Sequence, residues 1–178
     1  MQITTELITS FLQKNEQFSG FSPEELADFV PFFQVLNLEG GQVIFKEGAN
    51  GDAWYLVLSG EVSVTKDMPS GPPHVLAHLE AGDGFGEMAL IDGAPRMATL
   101  HTVQDCILLR FQRDVFLKLM GEGNQAATKL LWSMSGQLCQ RQRDLTYVLS
   151  DLVEVPSATN TREFEVLTQL LRTNVTWN

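Results

Sequence analysis

Glu87 and Arg96 stand nine residues apart in the segment GDGFGEMALIDGAPRMATL, residues 82–100, which also carries Gly82, Gly84, Gly86 and Gly93. Arginine presents a planar fork of donors that matches two oxygens of one phosphate. Pro95 has a fixed φ and follows the turn Asp92-Gly93-Ala94, so the backbone of Arg96 is presented rigidly at the start of a strand. Gly86 and Glu87 precede Met88-Ala89-Leu90-Ile91, a short apolar run able to form one or two helical turns. A helix begun there aims free N–H groups at whatever lies in front, and glycine lets a ligand approach the backbone. The chemistry indicated is capture of a small anion.

One arginine fork plus main-chain N–H groups suits a singly charged phosphodiester, with no Mg²⁺ required. A triphosphate would call for a lysine and a metal-holding group, and neither is arranged here. The glycines match neither G-x-G-x-x-G nor a G-x-x-x-x-G-K-[ST] loop. Glu87 beside an anion site is repulsive unless it has separate work, and at the first turn of a short helix it can accept hydrogen bonds from a sugar hydroxyl. The pattern fits a ligand with both an anionic ester and a ribose-like hydroxyl, and a cyclic ribonucleotide has both. A second reading stays open at this point: Glu87 and Arg96 as a partly buried ion pair that pins the loop.

The whole chain sets bounds on these readings. It has 178 residues, 44% of them hydrophobic, and a net charge of −10. One domain with appendages fits that length. The acidic balance weighs against nucleic acid, which needs a basic field. It says less about a small anion, because charges more than roughly 8 Å away are screened. Cys106 and Cys139 have no metal-ligand spacing, and Cys106 opens the apolar run CILLRF. The expectation is reduced thiols, a buried Cys106 and a cytoplasmic location. The N-terminus has no basic region before an apolar core, so no signal peptide is expected. No run reaches the roughly 18 apolar residues of a membrane span.

The elements that must position the site follow from periodicity. Ile3, Leu7, Ile8, Phe11 and Leu12 predict an amphipathic helix over 3–14. Ser22, Pro23, Glu24 and Glu25 predict a helix start, with Ser22 as N-cap. From 41 to 111 short apolar runs alternate with turn residues: QVIFK, AWYLVLS, EVSVTK, HVLAHLE, MATLHTV and CILLRF. This cadence predicts a compact antiparallel roll. A short helix follows over RDVFLKLM, then a long one from Asn124 to Val153. On the long helix Leu131, Leu138, Leu145 and Leu152 recur every seven residues, with Ala127, Met134 and Val148 between them. That stripe either packs on its own roll or forms a coiled-coil seam with a partner. Arg141 interrupts the seam, and Gly136 costs about 1 kcal/mol of helix propensity. A Pro/Ser/Thr/Asn linker and an amphipathic set through Phe164, Leu167 and Leu171 end the chain.

FGEMALIDGAPRMATL closely resembles the phosphate-binding cassette of the cyclic nucleotide-binding domain family, whose pattern is F-G-E-x-A-L, a short loop, then P-R-x-A-T. Around it, GFSPEELADF resembles the entry helix of that family. GGQVIFKEGANGDAWYLVLSGEVSV resembles its opening strands, with the E-G-x-x-G-D turn at Glu47, Gly48, Gly51 and Asp52. The likeness covers roughly 19–143. It implies an α+β fold: a jelly-roll-like antiparallel β-roll with short N-terminal helices, an internal cassette helix and a long C-terminal helix. The implied domains are an N-terminal extension over 1–18, a ligand-binding domain with its lid helix over 19–153, and a linker and tail over 154–178.

By position, the resemblance implies that Glu87 and the Gly86 backbone hold the ribose 2′-hydroxyl. The Arg96 side chain and the amides of Ala89 and Met97 would hold the cyclic phosphate. Met88, Leu90, Pro95 and Ala98 complete the cassette, and Arg141, Leu145 or Thr146 would contact the base from the long helix. Met97 departs from the family, in which Thr or Ser follows the arginine in many cyclic GMP binders and Ala in kinase regulatory subunits. Methionine donates nothing to a guanine edge, so cyclic AMP is the expected ligand and cyclic GMP the alternative, with no other cofactor. The expected role is a non-catalytic sensor whose C-terminal helix signals to an effector protein or to a second copy of the chain.

Other classes fit less well. His74, His78 and His101 prompt a metal-binding reading, but the H-x-x-x-H spacing completes no His–Glu set. No nucleophile accompanies Glu87 and Arg96. Transcription regulators of the family need about 60–80 further residues of helix-turn-helix and wing. About 25 residues follow Val153, so the expectation is a sensor without DNA binding. The alternatives are a ligand-free roll that serves only as an interaction scaffold, and the sensor half of a transcription regulator that lacks its DNA-binding module.

Overall fold

A computed structural model describes residues 3–154. Helix α1 is Thr5–Leu12, shorter at both ends than periodicity predicts, with Thr4 accepting from the Leu7 amide. Helix α2, Pro23–Phe29, begins at Ser22. Its hydroxyl accepts from the Glu25 amide at 3.2 Å, while Glu25 accepts from the Ser22 amide at 2.7 Å. This reciprocal cap satisfies two donors that a helix start leaves open.

The roll has eight strands. They are β1 Phe33–Leu38, β2 Val43–Phe45, β3 Ala53–Ser59, β4 Val62–Lys66, β5 His74–Leu79, β6 Gly84–Phe85, β7 Thr99–Thr102 and β8 Cys106–Gln112. Two antiparallel sheets run in the orders β1-β8-β3-β6 and β2-β7-β4-β5. The cassette helix α3, Glu87–Asp92, leaves β6, and α4, Arg113–Gly121, continues from β8. Two strands lie outside the predicted set. FQVLNL, without clean alternation and directly after a helix, pairs with β8 from Phe33↔Phe111 to Leu38↔Cys106. GF is only two residues long, and it pairs with Tyr55 and Leu56.

Strand β3 explains its own unbroken apolar run, since both of its faces are covered. Trp54, Leu56 and Leu58 join an outer core with Leu109 and Phe111 of β8, to which the helices add Leu12, Leu26, Phe29, Phe116, Leu130 and Met134. Ala53, Tyr55 and Val57 face the roll interior with Leu108, Phe85, Val62 and Leu100. Cys106 is buried there as expected and donates to the Glu61 carbonyl at 3.2 Å; burial pushes its thiol up.

Helix α5 runs Gln125–Glu154. The chain divides into two compact units, Met1–Met134 and Ser135–Asn178. In the first unit, Ala127, Leu130 and Met134 are fully buried in the outer core and Leu131 packs against it. The start of the heptad stripe is therefore used by the chain's own fold, as one of the two sequence readings has it. Among the described residues, no helix is long and apolar enough to cross a membrane. The expected linker and the set at Phe164, Leu167 and Leu171 lie outside the described residues.

Candidate functional site

The cassette is built between α3 and the turn Glu47–Asp52. Gly93, at φ +73°, ends α3, and the Ala94 amide donates to Asp92 at 2.8 Å. The chain then runs antiparallel to the turn. The Arg96 amide donates to the Ala49 carbonyl at 2.9 Å, and the Gly48 amide donates to the Arg96 carbonyl at 2.8 Å. One step further, the Thr99 hydroxyl accepts from the Glu47 amide at 3.0 Å. Gly51 is required by this packing: a Cβ there would overlap that of Ala89 and lie 2.8 Å from the Ala94 carbonyl. The E-G-x-x-G-D turn thus backs the Arg96 segment.

Arg96 is 4% exposed. Its Nη2 donates to the Ala53 carbonyl at 2.7 Å and its Nη1 to the Gly86 carbonyl at 3.3 Å. The guanidinium lies over the Phe45 ring at 4.1 Å, within cation–π range. The carboxylate within ion-pair reach is that of Asp52, at 3.4 Å, and it is half-exposed and bonded more closely to Arg110 at 2.6 Å. The Nε–H of Arg96 is buried and has no partner among the described residues. Burial pulls the guanidinium below the usual arginine range, offset in part by Tyr55 and Asp52. This is a buried cation with a shared counter-ion and a buried Nε–H left without a partner.

Gly86 caps α3 at φ +82°, where an added Cβ would collide with Arg96 Nη1. Left-handed backbone and a crowded guanidinium both demand glycine there. Glu87 follows as the first residue of α3 and is 7% exposed, a depth at which carboxylates are rare without partners. At six residues, α3 carries little macrodipole.

The remaining expected residues divide by position. Ala89 and Leu90 are buried and anchor α3. Pro95, Met88 and Met97 are exposed, Met97 at 64%, and Ala98 is half-buried against the inner core. Arg141, Leu145 and Thr146 belong to the second unit, on the C-terminal half of α5; the Thr146 hydroxyl donates to the Gln142 carbonyl at 2.9 Å. Sequence reading overlooked Phe45, Arg110 and Lys66. Phe45 and Arg110 carry no local motif and meet Arg96 and Asp52 only across strands. Among the described residues, no group of His, Cys, Asp and Glu could hold a metal. His78 Nδ1 instead meets Glu61 at 2.7 Å.

Comparisons with known proteins agree with this architecture. A family model described as cyclic nucleotide-binding domain matches residues 35–122. The cAMP-dependent protein kinase regulatory subunit of Aspergillus fumigatus is 36% identical over 112 residues, covering 63% of this chain and 26% of that protein. The cyclic AMP receptor protein of Thermus thermophilus is 33% identical over 155 residues, covering 87% of this chain and 69% of the relative. The crystal structure of the Thermus thermophilus catabolite activator protein matches with a TM-score of 0.70 and 32% identity, covering 77% of this chain and 62% of that one. This chain thus spans about a quarter of the kinase subunit and about two thirds of the bacterial relative. On the family model and the similarity to the bacterial relative, the chain belongs to the cyclic nucleotide-binding domain family.

Proposed function

We propose that this chain is a non-catalytic sensor that binds cyclic AMP, in preference to cyclic GMP, in the cassette of residues 86–98. The carrying observation is Arg96, a buried guanidinium with an unpartnered Nε–H and a half-exposed, shared counter-ion. A cyclic phosphate supplies the missing anion, taking donors from Arg96 and from the amides of Ala89 and Met97. Its single charge needs no metal. Glu87, with the Gly86 backbone, accepts from the ribose 2′-hydroxyl, and its burial strengthens that bond relative to one made in water. The names of the two relatives support cyclic AMP as the ligand. Met97, exposed beside Arg96 and without a donor, offers nothing to a guanine edge.

In this reading the sensor domain runs from 19 to 153. Ligand favours a state in which the C-terminal half of α5 covers the base, through Arg141, Leu145 or Thr146. The signal is a population shift, limited by the ligand's preference for that state. The output passes to an effector protein or a second copy of the chain. The deciding experiment is calorimetric titration of nucleotide-stripped protein with cyclic AMP, cyclic GMP and linear AMP. Saturable binding of one cyclic AMP per chain, weaker cyclic GMP and silent linear AMP are expected. No heat from either cyclic nucleotide sinks the proposal and leaves the interaction scaffold.

A further inference from the structure

A second cation reaches the Arg96 segment from the opposite side. The last β4–β7 pair is Thr65↔Thr99, so residues 96–98 run beyond the end of that ladder. One edge of the segment is held by the main chain of Gly48 and Ala49. On the other edge, Lys66 extends its ammonium to the Met97 carbonyl at 2.7 Å and to Glu47 Oε1 at 2.7 Å. Glu47 also accepts from the Asp67 amide at 3.3 Å, and its own amide donates to Thr99. Lys66 holds the Glu47 carboxyl below the usual range. The lysine thus does with a side chain what the ladder no longer does with its main chain.

From this geometry we propose that Lys66 is a positioning residue of the anion site. Bonded to the Met97 carbonyl and to Glu47, it fixes the Met97–Ala98 peptide and so, through the Met97 backbone, holds the preceding Met97 amide in line with the phosphate. The inference rests on the reading of the site given above. Its specific claim is that affinity depends on the donor at position 66, although Lys66 itself does not touch the ligand. Charge alone would act over a distance and fade with salt, whereas a main-chain clamp acts through a short charge-assisted bond.

The test uses the full chain with Lys66→Met, which keeps the stem and removes the donor, and Lys66→Arg, which keeps a donor. Without ligand, the Ala98 amide resonance, on the peptide that carries the Met97 carbonyl, should move in the methionine variant and return towards wild type in the arginine variant. With cyclic AMP, Lys66→Met should bind roughly tenfold more weakly, the loss of one partly exposed charge-assisted bond. Lys66→Arg should bind within about threefold of wild type, with thermal midpoints of all three close together. Wild-type affinity in Lys66→Met overturns the proposal, as does an arginine variant as weak as the methionine one. If wild type binds no cyclic nucleotide, the reading of the site falls on its own. Lys66 is then judged by the Ala98 resonance, and an unmoved resonance in Lys66→Met overturns the clamp.

Discussion

Strand β3 divides two cores made of similar residues and used differently. On its outer side, Trp54 and Leu56 meet Phe18, Phe29, Phe33 and Phe111 in a cluster of tilted and edge-on rings. On its inner side, Ala53, Tyr55 and Val57 meet Phe85 and Leu100 with smaller volumes. There Tyr55 stacks on Phe85, and Arg96 lies over Phe45. The outer core is a mechanical support closed by helices. The inner core tolerates a buried cation because two carbonyls and an aromatic face replace part of its lost water. The comparison teaches that a purely apolar core and one that holds a buried charge can be placed on opposite faces of one strand.

Breaking the outer core should cost most. Trp54→Ala or Phe111→Ala should lose about 3–5 kcal/mol of stability in urea denaturation, since each leaves a cavity among large rings. Arg96→Ala should lose roughly 2–4 kcal/mol of cyclic AMP affinity through the missing charge-assisted fork, read by titration. Arg96→Met sharpens the contrast. It should also lose binding, yet match or exceed wild-type stability, because an apolar group of similar volume removes a buried charge. A large drop in its thermal midpoint would mean that Arg96 is structural. Glu87→Ala should cost less affinity than Arg96→Ala and blunt discrimination against 2′-deoxy ligand.

Smaller effects probe the supports. Gly51→Ala should lose about 1–3 kcal/mol, because the new methyl meets Ala89 and the Ala94 carbonyl and pushes the turn off the cassette. Ser22→Ala should lose about 1 kcal/mol by opening the α2 cap. Last comes pH. Lys129 and the Ser22 amide hold Glu25 below its usual value of 4.5. A depressed carboxylate contributes stability that is present above 4.5 and lost as pH falls through its folded value. Thermal midpoints should therefore fall in that acid window, and Glu25→Gln should flatten the slope.

Much of this was legible before any fold was known. Gly86, Pro95 and Arg96 announce a left-handed cap and a rigidly presented guanidinium, because each residue type is chosen for local backbone or donor geometry, and the two meet in the fold. Ser22 announces a helix start for the same reason, and the cap is present. β1 was missed because FQVLNL takes its strand state from the partner β8, and propensity alone is a weak guide at a helix–strand junction. The cassette helix lies where the run Met88-Ala89-Leu90-Ile91 predicts it.

The amino-acid sequence by itself determined the roll, the cassette and the identity of its two charged side chains, since periodicity, caps and turn chemistry act within a few residues. Only the tertiary structure decided the partners of Arg96. Phe45, Ala53, Asp52 and, through it, Arg110 arrive from three other strands and a turn. Lys66 likewise meets Met97 across 31 positions of chain. Burial and counter-ion sharing are properties of strands brought together, and no local spacing encodes them.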